Sequence, residues 1–207
     1  MARASRPDAP SRFERRRQKN RAALLEAALE LFQQNGIRAT KLEEICARAD
    51  VAPRTFFNHF ETREHLYQAL AEQRASQFAA LLDALASDER PLAERLSDLF
   101  GSIGRYLGAR PPYRELVGEM LHVRLDGPSE IVRSGTLGQA ALRFVKKGVA
   151  KGEIARRHRP EVLADLLLGA LSTAVANWSA REDYDLPREL ARTGRALLEL
   201  FTPERKP

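Results

Sequence analysis

Apolar residues recur at spacings of three and four along nearly the whole chain, and no segment reads as a strand. Leu24, Ala28, Leu31 and Phe32 form the first stripe, with Asn20 suited to cap that helix and Gly36 to stop it near Asn35. Leu42, Ile45 and Ala49 make a shorter stripe. Thr40 and Glu43 have the spacing of a capping box, so the second helix is predicted to open at Lys41. Asp50 falls where the chain must turn, and Asp tolerates a left-handed backbone better than most residues. Val51 is an apolar plug beside that turn. Pro53 suits the first position of a third helix, and Phe56 and Phe60, four apart, share its inner face. Thr62 can cap a long helix from Arg63 to about Ala86. Further helices are predicted over 91–109, 112–124, 130–151, 160–181 and 187–201, punctuated by proline and glycine. The expected class is all-α with about nine helices.

Between Thr40 and Leu66 these elements have the layout of a DNA-reading helix-turn-helix. Arg54, Thr55, Asn58 and His59 lie mostly away from the Phe56/Phe60 face. They are long or polar, and they can donate to base edges or phosphates.

Four stretches in order, AALLEAALELFQQNG, ICARADV, TFFNHF and REHL, resemble the DNA-binding head of the tetracycline-repressor (TetR) family of bacterial regulators. The likeness covers about residues 20 to 67. It departs from the family pattern at Asp50 (usually Gly), Ala52 (Ser), Phe57 (Tyr), Arg63 (Lys) and Lys41 (Thr). The resemblance implies a homodimeric repressor that holds a palindromic double-stranded operator and is released by a small-molecule effector. The expected DNA-contacting set is Arg21, Thr40, Lys41, Pro53, Arg54, Thr55, Phe57, Asn58, His59 and Arg63. Within it, Arg54 and Thr55 would read bases, while Thr40, Lys41, Asn58, His59 and Arg63 would hold phosphates.

Charge sharpens this picture. Residues 1 to 21 carry eight basic and two acidic groups, a surplus equal to the whole chain's +6. Residues 1–17, rich in Arg, Pro and Ser, are expected to be an unstructured basic arm that attracts phosphate. Residues 18–67 would be the head and 68–207 the ligand-binding and dimerisation body. No stretch is read as a membrane span, and Glu26 and Glu30 interrupt the apolar run that a signal peptide would need. A single cysteine, Cys46, is expected to be a buried core thiol and fits a reducing, cytoplasmic compartment.

In the body, Gly101, Gly104 and Gly108 share one helical face. Either a neighbouring helix packs tightly there or space is kept for a ligand. Phe100, Ile103, Gly104, Met120, His122, Phe144, Asn177 and Trp178 are the candidate cavity residues, with His122 and Asn177 as the polar ones. The last two helices carry more apolar surface than one core face needs. By resemblance they would pair with their mates in a four-helix bundle. The sequence shows no catalytic motif, no metal-ligand spacing and no cofactor fingerprint. The rival readings are a constitutive DNA-binding dimer without an effector, and an all-α adaptor or enzyme whose head-like segment is merely core.

Overall fold

A computed structural model describes residues 11–125 and 135–203, without side chains for 122–125. Nine α-helices and no strand occur among the described residues: α1 Arg12–Asn35, α2 Leu42–Arg48, α3 Pro53–Phe57, α4 Arg63–Ser87, α5 Leu92–Gly108, α6 Tyr113–Leu125, α7 Thr136–Ala150, α8 Pro160–Ala180 and α9 Leu186–Phe201. The chain divides into two units, Met1–Leu66 and Tyr67–Pro207. Helix α4 is continuous across that division, so each unit contains part of it.

Helix α1 starts well before Asn20, which corrects the expected arm. Ser11 and Glu14 form a reciprocal capping box. The Glu14 N–H donates to Ser11 Oγ at 3.1 Å, and the Ser11 N–H donates to the Glu14 carboxylate at 2.6 Å. That cap outweighs the local charge repulsion, and arginine itself is a good helix former. The basic residues Arg12 to Lys19 are therefore helical. The rest of the arm, with Arg3 and Arg6, lies outside the described residues.

Two further local expectations are revised. Thr40 does not cap α2; Lys41 does, and its N–H donates to the Glu44 carboxylate at 2.9 Å. The Thr40 hydroxyl points backward and donates to the Gly36 carbonyl at 2.8 Å. The turn after α2 is as expected. Asp50 sits at φ 53°, its N–H donates to Ala47 O, and the Val51 N–H donates to Cys46 O. This is the Schellman arrangement that usually employs glycine. Cys46 is buried, and burial pushes its thiol pKa up.

The core of the body joins α5 to α9, α7 to α8 and α6 to α8. Close helix approach explains two of its glycines. A Cβ on Gly104 would stand 3.0 Å from Pro187 Cα, and one on Gly194 would stand 3.1 Å from Phe100 Cδ2. Among the described residues one charged side chain is fully buried. Arg95 donates to Arg90 O at 2.8 Å, to Leu85 O at 3.2 Å and to the Glu153 carboxylate, tying the α4–α5 connection to the segment after α7. Removing Glu153 would strand that guanidinium.

Helix α8 qualifies the expectation about membrane spans, since it is long and apolar enough to cross a membrane by length and composition. In the structure its Leu163, Leu167, Ala174 and Trp178 are buried within the body.

Candidate nucleic-acid interface and body cavity

The first unit builds its exposed face on two buried rings. Phe56 and Phe60 are buried, with centroids 5.4 Å apart, and they anchor the short helix α3 in the core of the unit. Pro53 opens α3 without leaving an N–H unbonded. The opposite side of the helix exposes Arg54 and Asn58, and Thr55 and His59 partly. Phe57 is 54% exposed, a large apolar ring held outside the core. Lys41 is exposed at the start of α2.

Against α3 lies the early part of α1. Phe13, Arg16, Arg17 and Asn20 line a groove of about 510 Å³ together with Thr55, Asn58 and His59. Burial, followed by the charges of Arg17 and Arg21, holds the His59 pKa below the ordinary imidazole value. The guanidinium of Arg21 sits 5.3 Å from the centroid of the Phe60 ring. Sequence reading did not single out Phe13, Arg16, Arg17 and Asn20 as a surface adjoining α3. The Ser11/Glu14 cap is the signal that could have placed them there.

Two expected phosphate ligands are engaged elsewhere. Thr40 is only 1% exposed and its hydroxyl is bonded to Gly36 O. Arg63 donates through Nη2 to Ile37 O at 3.1 Å and to Thr40 O at 2.8 Å. The Thr40 hydroxyl and Arg63 Nη2 thus hold the connection between α1 and α2, while Arg63 Nε is buried without a partner among the described residues.

The second unit contains a cavity of about 460 Å³ walled by α4, α5, α6, α7 and α8. Ile103 and Met120 line it as expected. Phe78, Leu81, Val117, Leu171 and Val175 extend the apolar wall, and Arg74, Tyr106 and Tyr113 supply polar atoms. Sequence reading missed these three. The available signal was a cation, Arg74, placed within the stripe Leu70, Phe78 and Leu81 of α4.

The other expected cavity residues go elsewhere. Phe100 packs on Gly194, and Gly104 and Gly108 lie against Pro187, so these two glycines of the face serve packing. Phe144 is buried beneath Arg95, and Trp178 beneath Arg114, which also donates to Trp178 O at 2.6 Å. Asn177 is exposed on the outer side of α8. The side chain of His122 lies outside the described residues. No group of three or more potential metal ligands occurs among the described residues.

A capped helix, a tight left-handed turn and a second helix whose polar side is exposed beside basic groups define a helix-turn-helix DNA-binding regulator. Residues 24–70 match the sequence model for bacterial regulatory proteins of the tetR family. Over that segment the chain is similar to the DNA-binding head of the TetR family of transcriptional regulators. It is similar to the HTH-type transcriptional regulator TcmR of Streptomyces glaucescens, with 28% identity over 184 residues covering 88% of this chain and 69% of that protein. It is also similar to the HTH-type transcriptional repressor DhaR of Mycobacterium sp. (strain GP1), with 27% identity over 162 residues covering 75% and 80% respectively. Its fold matches FadR of Thermus thermophilus, a TetR family transcriptional repressor, at a TM-score of 0.66 and 23% identity over 90% of this chain and 97% of that one.

Proposed function

We propose that the protein is a homodimeric repressor that leaves a palindromic operator when a small molecule fills the body cavity. The observation that carries this reading is the cavity itself, a largely apolar space with α4 as one wall. The same helix carries its first residues in the DNA-binding unit. The FadR of similar fold is known in complex with lauroyl-CoA, which supports an effector in the body.

In the dimer each α3 enters one major groove, with half-sites separated by about one helical turn, roughly 34 Å, or a multiple of it. Arg54 and Thr55 read base edges. Lys41, Asn58, His59 and the basic turns of α1 hold phosphates. The outer stripe of α8 meets its mate across the two-fold axis. A ligand displaces the equilibrium only through unequal affinity for the DNA-bound and free conformers of the dimer.

Selection of bound duplexes from a random DNA library at physiological salt tests the first half. Recovery of two inverted half-sites is the expected result, and enrichment without any motif would defeat it. A thermal-shift screen tests the second half, because a ligand that binds only the folded state raises Tm. A ligand that raises Tm must also release the selected operator. If every such ligand leaves the complex intact, the protein binds DNA constitutively.

A further inference from the structure

We infer that the cavity ligand is an amphipathic organic anion, an apolar body bearing one carboxylate-like group whose counter-ion is Arg74. This rests on the reading of the cavity as a ligand site.

Arg74 is the one charged residue among the described residues that line the cavity. It is partly buried, and all its partners are neutral. Nη1 donates to Gln77 Oε1 at 2.8 Å, Nη2 reaches the Tyr113 hydroxyl at 3.4 Å, and the guanidinium lies 5.6 Å from the Tyr106 ring centroid. A second cation, Arg110, stands 4.2 Å from the centroid of that same ring. Neither arginine forms a salt bridge to a carboxylate among the described residues.

Several other basic groups of the body have a carboxylate partner. Arg95 pairs with Glu153, Arg143 with Asp83 and Lys151 with Glu89. Arg114 takes the carbonyls of Trp178 and Arg181 at the end of α8. The rim around Tyr106 thus carries two cations without an ion-pair partner among the described residues, beside an apolar wall of Phe78, Leu81 and Val117.

Desolvating a cation without a counter-charge is costly, and a bidentate carboxylate is the group that a guanidinium fork fits best. A wholly apolar ligand would leave that cost in place, and a cationic ligand would add repulsion. A ligand with an apolar body and an anionic end satisfies both surfaces at once.

Calorimetric titration of the full-length protein at pH 7 with n-alkanoates from hexanoate to dodecanoate, each matched by the n-alkanol of equal length, tests this. At the length that fits, the alkanoate should bind about tenfold more tightly than the alkanol, the ratio expected for a hydrogen bond to a charged group. Arg74→Gln should abolish the difference without weakening the alkanol, and Arg74→Lys should restore part of it. Filling the cavity with Ala75→Phe should weaken both ligands, which locates them. An alkanol that matches its alkanoate at every length overturns the inference, as does an anion preference that survives in Arg74→Gln. An Arg74-dependent preference without release of the selected operator would leave the anion site standing and remove only its role as effector site.

Discussion

Arg63 Nη2 donates to the backbone carbonyl of Thr40 at 2.8 Å, so two residues expected to grip phosphate are bound to each other. A second bond from the same nitrogen reaches Ile37 O at 3.1 Å. The chain between α1 and α2 is thereby fastened to the first residue of α4.

Arg63→Ala should therefore act on stability before it acts on DNA. Two carbonyls lose a charged donor, a loss of about 1–3 kcal/mol. Arg63→Lys should fall between, because one ammonium replaces a planar fork. Urea unfolding gives the magnitude. The slope of log affinity against log salt should stay at the wild-type value in the variant, and a drop of about one would return Arg63 to the phosphate-binding set.

Asp50 carries a related argument. It occupies the left-handed position of the Schellman turn at φ 53°. That backbone costs an L-residue about 1–2 kcal/mol, somewhat less for Asp, and costs glycine nothing comparable. Asp50→Gly should raise stability by about 0.5–1 kcal/mol, after allowing for the greater freedom of glycine in the unfolded chain. Asp50→Val should lower it. A Gly variant less stable than the parent would mean that the Asp50 carboxylate does something the backbone argument omits.

Elements whose boundaries are set by local chemistry were legible in the sequence. The α2 turn, Pro53 at the start of α3, the burial of Phe56 and Phe60 and the core position of Cys46 all follow from neighbours within a few residues. Choices between two local options were not. Thr40 could cap α2 or bond backward to Gly36, and only the packed chain decides. The cavity was the least legible part. Phe100 and Phe144 have the same apolar character as Phe78, and which ring faces the void depends on how helices distant in sequence pack. Asn177 was misplaced for the same reason: its polarity suggested a ligand, and the packing of α8 turned it outward.

Arg54 is the test of base reading. It is exposed on α3 and makes no salt bridge among the described residues. If it reads a guanine, Arg54→Ala should cost about 1–3 kcal/mol and relax preference at one position per half-site. Repeating the duplex selection with the variant checks this. An unchanged motif would move Arg54 from the reading set to the phosphate set.

His59 predicts a pH dependence whose sign follows from its surroundings. Burial and the nearby charges of Arg17 and Arg21 hold its pKa below 6.5 in the free protein, so it is mostly neutral at pH 7. A DNA phosphate brought to these groups offsets the positive charge and favours the imidazolium, which raises the pKa in the complex. Binding then takes up protons, and affinity should rise as pH falls through the window between the free and bound values. Stability moves the other way. The contribution of neutral His59 is complete above 6.5 and is lost as pH drops through the lowered folded value. Affinity must therefore be measured where circular dichroism shows the protein still folded. His59→Gln should flatten the affinity profile, and a profile unchanged by that substitution would place His59 away from the backbone.

The outer side of α8 carries the dimer prediction. Val162 and Leu166 are 45% and 44% exposed, one turn apart. Gly169, Thr173 and Asn177 continue the same exposed stripe at spacings of three and four, and a Cβ on Gly169 would meet nothing within 4 Å. The protomer thus leaves a smooth, partly apolar strip beside α9, whose own exposed side is dominated by Arg188, Arg192, Arg195 and Glu199. A charge at Leu166 would have to be desolvated in a dimer and would stay in water in a monomer, so Leu166→Glu separates the two cases. Sedimentation should show the variant as a monomer at concentrations where the parent is a dimer. Affinity for a single half-site should be retained, while affinity for the full palindrome should fall, because two linked heads raise each other's effective concentration. A variant that remains dimeric with full operator affinity would show that the two-fold axis lies on another face.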